Sequence, residues 1–270
     1  MTSLGTLSIH LDGGPCRVGC DFCYLGARTG PPADRLRLPL VAAALGALAY
    51  DEVAVAVSEP LEEAAPRLRQ VVAAARAPVA VTTTPQLARR APELFAGVAR
   101  ANLSIDSQKG VVEPARVEAL AAALRAAHPR LEIVLLATLD TPAFATRLVD
   151  EGLLAALVAL PSVDKVALNA LKPPPPWCDR AFWMRALARL EPLLARALDS
   201  RLVLDCYVAA RLLGLGGCPA RADLSPAAGG VAFRSCVYQR SPDFVAADAP
   251  SLAARLDGFA APAACPFAIT

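Results

Sequence analysis

Leu131-Glu132-Ile133-Val134-Leu135-Leu136, followed after a short link by Ala143–Leu157, is the stretch that decides the fold. The first six residues are almost continuously apolar and rich in branched side chains, as in a strand covered on both faces. The second stretch spaces Leu, Phe and Val at three and four residues, with Arg147, Asp150 and Glu151 between them, as in an amphipathic helix. One such βα pair implies a parallel neighbour, because a helix is the usual way for the chain to return to the same edge of a sheet.

The pair recurs along the chain. Further strands are expected at Thr6–Leu11, Glu52–Ser58, Pro78–Thr83, Asn102–Asp106, Lys165–Leu171 and Arg201–Val208. Further helices are expected at Val41–Tyr50, Leu61–Arg76, Ala91–Arg100, Pro114–Ala127 and Phe182–Leu198. Repeated βα units predict an α/β fold with a parallel sheet. Six or seven units fall short of the eight that close a TIM barrel, and a doubly wound sheet fits the pattern as well. Either architecture places ligands at the carboxyl ends of the strands. After about residue 209 Gly, Pro and Ser cluster, so a boundary separates 1–209 from a small appendage, 210–270, with a helix at Ser251–Asp257.

Composition narrows the function classes. In 270 residues 55% are hydrophobic and 19% charged, which argues against disorder. The longest apolar candidate, Val41 to Tyr50, is too short for a membrane span, and the N-terminus lacks a basic start and apolar core. A soluble, cytoplasmic protein with no membrane partner is expected. A net charge of +2 gives no electrostatic case for nucleic acid. Of 27 basic side chains only Lys109, Lys165 and Lys172 are lysines. With no export signal, the eight cysteines point to metal ligation or plain burial rather than disulfides.

Three of them stand together in Gly14-Pro15-Cys16-Arg17-Val18-Gly19-Cys20-Asp21-Phe22-Cys23-Tyr24. Three thiolates within eight residues can converge on one soft metal centre. Structural zinc normally takes four ligands in two pairs, and no fourth Cys or His follows nearby. The spacing Cys-x3-Cys-x2-Cys, with Phe22 before the last cysteine, resembles the signature of the radical S-adenosylmethionine superfamily. That resemblance implies a partial (β/α)6 TIM-type barrel with a hairpin and helix extension. It implies a [4Fe–4S] cluster on Cys16, Cys20 and Cys23, with Phe22 and Tyr24 beside bound S-adenosylmethionine. It further implies reductive cleavage of that cofactor to a 5′-deoxyadenosyl radical, an electron donor such as flavodoxin or ferredoxin, and a small-molecule or peptide substrate. An activase for a glycyl radical enzyme and a non-catalytic iron–sulfur or zinc module are the alternatives.

Other segments extend the same expectation. Val57-Ser58-Glu59-Pro60 matches only the Glu-Pro half of the family's Gly-Gly-Glu-Pro, with Ser58 and Glu59 then facing the cofactor's amino group. The residues alone read equally as a helix start capped by Ser58. Ser104 and Asp106 alternate with apolar neighbours at a strand end, where the resemblance puts ribose and carboxylate contacts; turn capping by Asp106 is the plainer reading. Leu168 is expected at adenine, and Asn169 and Lys172 towards substrate. His10, late in the first strand, is either catalytic or a hydrogen-bonded core residue.

The segment Gly217–Leu224 followed by Gly229–Cys236 reads as a hairpin turning at Gly229-Gly230 and bracketed by Cys218 and Cys236. With Cys265 and Cys206 it resembles a twitch or SPASM subdomain, which implies a second iron–sulfur cluster. Small apolar cysteines filling a core are the alternative.

Overall fold

The computed structural model describes residues 4–11, 37–57, 61–109, 112–172, 174–197, 201–214, 221–236, 239, 241–257 and 259, with backbone only at 61–63, 196, 197 and 221. They fall into two compact units. The first comprises Met1–Thr83, Glu93–Arg100 and Cys218–Ala263; the second comprises Thr84–Pro92, Ala101–Gly217 and Ala264–Thr270.

In the first unit the sequence runs β1 (Thr6–His10), α1 (Leu38–Ala47), β2 (Val53–Ala56), α2 (Leu61–Ala74) and β3 (Val79–Thr83). Near the C-terminus come β8 (Arg221–Ala227), β9 (Gly230–Arg234), β10 (Phe244–Ala246) and α9 (Ala249–Leu256). Strand order is β10-β9-β8-β1-β2-β3. β1 pairs in parallel with both β2 and β8, while β8, β9 and β10 form an antiparallel meander. The expected hairpin is present, turning at Gly229 in the left-handed region (φ 77°) that glycine adopts without a Cβ penalty.

The second unit contains α3 (Pro85–Arg90), β4 (Arg100–Ile105, its first residue in the other unit), α4 (Pro114–Ala127) and β5 (Glu132–Leu139). It continues with α5 (Pro142–Val149), α6 (Leu153–Val158), β6 (Lys165–Ala170), α7 (Arg180–Ala197), β7 (Leu202–Leu204) and α8 (Cys206–Leu213). Strand order is β4-β5-β6-β7, with β5, β6 and β7 parallel. The α/β class expected from the repeating pattern holds, and the mostly parallel sheet is open, as in a partial barrel with a hairpin and helix extension.

Three elements differ from the sequence reading, each for a local reason. Ala91–Arg100 is not a helix: α3 ends at Arg90, a 3₁₀ turn takes Pro92–Phe95, and β4 begins at Arg100. Ala143–Leu157 is two helices, broken where Gly152 takes φ 77°. Arg201–Val208 is a strand only to Leu204. There the Asp205 carboxylate accepts the Val208 backbone N–H at 2.7 Å and starts α8. Side-chain caps recur at Thr84 on α3, Thr141 on α5 and Asp248 on α9. The Ser251 backbone N–H, then its hydroxyl, hold the Asp248 carboxyl below its ordinary pKa.

Alternation along the strands separates two unlike faces. In the first unit Leu7, Ile9, Val53, Val55 and Val81 are sealed from solvent, whereas Thr6, Ser8, Ala54, Ala56 and Thr82 on the other face are half-buried. The second unit repeats the division. Leu103, Leu135, Ala137, Val166 and Leu168 are buried, with α5 packed on β5 and α6 on β6; Ser104, Leu136, Thr138 and Asn169 are half-buried. A closed barrel fills its interior with bulky branched side chains. Here the half-buried face carries small or polar side chains at most of these positions, Leu136 being the exception.

β10 approaches β9 so closely at Gly230 that an added Cβ would fall on the Ala246 carbonyl oxygen, a backbone atom with nowhere to retreat. Gly230→Ala is therefore expected to destabilise the protein by about 2 kcal/mol, the usual cost of overpacking. Thermal unfolding checks this, with Gly229→Ala as the comparison: there the space is open and only the positive φ is strained.

Candidate functional site

Carboxylates collect where the parallel strands of the second unit end. Asp106 follows β4, Asp140 follows β5 and Asp205 follows β7, at 1%, 7% and 3% exposure. Unpaired burial of three carboxylates would cost several kcal/mol each. Each instead gathers donors, although Asp140 Oδ1 is buried without a hydrogen-bond partner. Asp106 Oδ1 accepts the backbone N–H groups of Gln108 and Lys109, and Oδ2 meets Lys109 Nζ at 2.5 Å. Asp140 Oδ2 accepts the Ser107 backbone N–H at 3.0 Å and the Ser107 hydroxyl. Asp205 Oδ2 accepts the Ala170 N–H at 3.0 Å and lies 3.3 Å from Lys172 Nζ, while Oδ1 caps α8. Two of the chain's three lysines therefore serve these carboxylates.

Lys172 is enclosed at 1% side-chain exposure, and its Nζ also donates to Cys206 Sγ at 3.3 Å. Cys206 is the first residue of α8 and half-buried. Behind it an aromatic ladder ties the segment after β6 to the helices: Trp177 to Phe182, Phe182 to Trp183 and Trp183 to Tyr207, at centroid separations of 5.4, 5.0 and 5.8 Å. The Trp183 indole N–H donates to the Cys178 carbonyl at 3.1 Å. Burial, and secondarily the charge of Asp179, push the Cys178 thiol up to about 12.

Ser104, Thr138 and Asn169 lie one layer below this carboxylate rim on the half-buried face, and Thr138 and Asn169 are register partners on adjacent strands. Leu168 points the other way, into the core at 1% exposure. The first unit holds a second polar cluster. His10 Nε2 meets Asp223 Oδ1 at 2.7 Å, and Arg234 reaches Asp223 at 3.2 Å and the Ser225 hydroxyl at 2.6 Å. All four residues are at most 4% exposed. The strand register explains the assembly, since Asp223 stands beside Ser8 on β1 and opposite Arg234 on β9.

Cys16, Cys20, Cys23, Phe22, Tyr24, Ser58, Glu59, Cys218 and Cys265 lie outside the described residues. Of the expected ligands of a second cluster, Cys206 is engaged by Lys172 and Cys236 is buried after β9. Sequence reading missed Asp140 and Asp205 altogether. Their signal was weak but present: each is the first acidic residue after an apolar strand run.

No family model matches the chain, and no curated protein matches it. Among solved structures it is similar to the native structure of N-acetylneuraminate lyase (sialic acid aldolase) from Aliivibrio salmonicida, with 15% identity and a TM-score of 0.38 over 78% of this chain and 72% of that one. Among the described residues no three of His, Cys, Asp and Glu group as metal ligands. These findings correct the radical S-adenosylmethionine expectation. With no family model matched and no such ligand group among the described residues, the [4Fe–4S] cluster, S-adenosylmethionine, the second iron–sulfur cluster and the radical oxidoreductase activity are withdrawn with the assignment. Among the described residues no helix is long and apolar enough to cross a membrane.

Two outcomes follow. Asp205→Ala removes the α8 cap and strands the enclosed Lys172 charge, so it should cost about 3 to 5 kcal/mol in urea unfolding. A loss below about 1 kcal/mol, the scale of an exposed pair, would contradict that role. Cys178 should resist thiol reagents in the native state at pH 8. Below pH 9 both folded and unfolded chains keep its proton; between pH 9 and about 12 only the folded chain does. Its contribution to stability therefore falls as pH rises through that window, and Cys178→Ala should flatten the decline.

Proposed function

We propose that this chain is an enzyme acting on a small polar molecule held against the half-buried sheet face at the carboxyl ends of β4, β5 and β6. The observation that carries the reading is the row Ser104, Thr138 and Asn169: small hydrogen-bonding side chains, partly accessible, where a filled barrel would place bulky apolar ones. Hydroxyl and amide groups both donate and accept, so together they suit a ligand bearing hydroxyl and carboxyl or carbonyl groups. The carboxylates of Asp106, Asp140 and Asp205, each bonded to neighbouring backbone N–H groups, fix the loops above that row and hold the binding groups in place.

The test is binding of hydroxy acids, 2-oxo acids, sugar acids and nucleosides, followed by calorimetry. Asn169→Leu and Thr138→Val should each weaken the bound compound at least tenfold, about 1.4 kcal/mol, with little change in melting temperature. Failure of every class to bind, or undiminished affinity in both variants, would refute the reading.

A further inference from the structure

Lys172 Nζ, Cys206 Sγ and Asp205 Oδ2 form a contact triad of which the small-molecule reading uses only the carboxylate. Nζ lies 3.3 Å from both the sulfur and the carboxylate oxygen. The amine is sealed from solvent and held against these two atoms, while the cysteine residue is half-buried rather than sealed. A flexible four-carbon stem lets Nζ close on the sulfur without moving the backbone. The nearest contrast is Cys178, more deeply buried, with its thiol proton held up to about pH 12.

We propose that Cys206 and Lys172 form a reversible, oxidation-dependent sulfur–nitrogen cross-link that staples the start of α8 to the segment just beyond β6. A peroxide oxidises the Cys206 thiol by two electrons to the sulfenic acid, itself being reduced to water. The Lys172 ammonium passes a proton to the Asp205 carboxylate. The neutral amine then attacks sulfur, the S–N bond forms as the S–O bond breaks, and a second water leaves. A thiol reductant reverses the step by attacking sulfur and releasing the amine. The staple bridges two elements already joined by Asp205, which accepts the Ala170 N–H on one side and caps α8 on the other.

The experiment treats the full chain with hydrogen peroxide under native conditions and maps proteolytic fragments by mass spectrometry. The expected product joins the Lys172 and Cys206 fragments at a mass two hydrogens below their sum, and dithiothreitol releases them. Lys172→Arg keeps the charge beside Asp205 but supplies no nucleophilic amine. That variant, with its melting temperature compared against wild type, should give no joined fragment and leave Cys206 open to dimedone as a sulfenic acid. Accumulation of uncross-linked sulfinic or sulfonic acid at Cys206 in wild type would overturn the proposal. So would a joined fragment that persists in Lys172→Arg or links Cys206 to another cysteine.

Discussion

The Asp205 carboxylate is the interaction on which the second unit depends. Four residues earlier the chain is still entering β7, and two residues later it is helical. A single side chain makes that transition possible by capping α8, pinning the end of β6 through Ala170 and neutralising Lys172. A buried carboxylate is tolerable when donors gather on it, as they do on both oxygens of Asp205. Asp106 is held in the same way, whereas Asp140 gathers Ser107 on Oδ2 and keeps Oδ1 buried without a hydrogen-bond partner. At the ends of β4, β5 and β7 a carboxylate stands where the chain leaves the sheet, and the donors it gathers tie the turn down.

Rigid rims matter because of what lies beneath them. The sheet buries its branched aliphatic residues against helices on one face and leaves a row of small and polar side chains on the other. Hydrophobic burial, at ~25 cal/mol per Å², drives the first face together regardless of what the second carries. The second is therefore released from packing and can take side chains chosen for contact with a ligand. In the first unit the same division leaves Thr6, Ser8 and Thr82 half-buried, while His10, Asp223, Ser225 and Arg234 form a sealed polar network. That network fixes β8 beside β1 in one register, because a slip of one residue would strand the buried charges.

The cysteine spacing carried the strongest family resemblance in the sequence, and it did not survive comparison. Spacing records which residues are near along the chain, whereas a metal site depends on which donors converge in space. Cys206 shows the difference: read as the end of a strand and a metal ligand, it opens a helix and contacts a lysine ammonium.

What the sequence determined by itself was the alternation of strands and helices, the parallel sheet and the hairpin at Gly229-Gly230. Periodicity and turn residues are local signals, so those features were legible in Leu131–Leu136, in Lys165–Leu171 and in the Gly-Gly pair. Tertiary structure alone decided that β8 joins β1, that Asp140 meets Ser107, and that Lys172 meets Asp205 and Cys206. Each of these contacts joins residues more than thirty positions apart, and only strand order and register bring such residues within hydrogen-bonding reach.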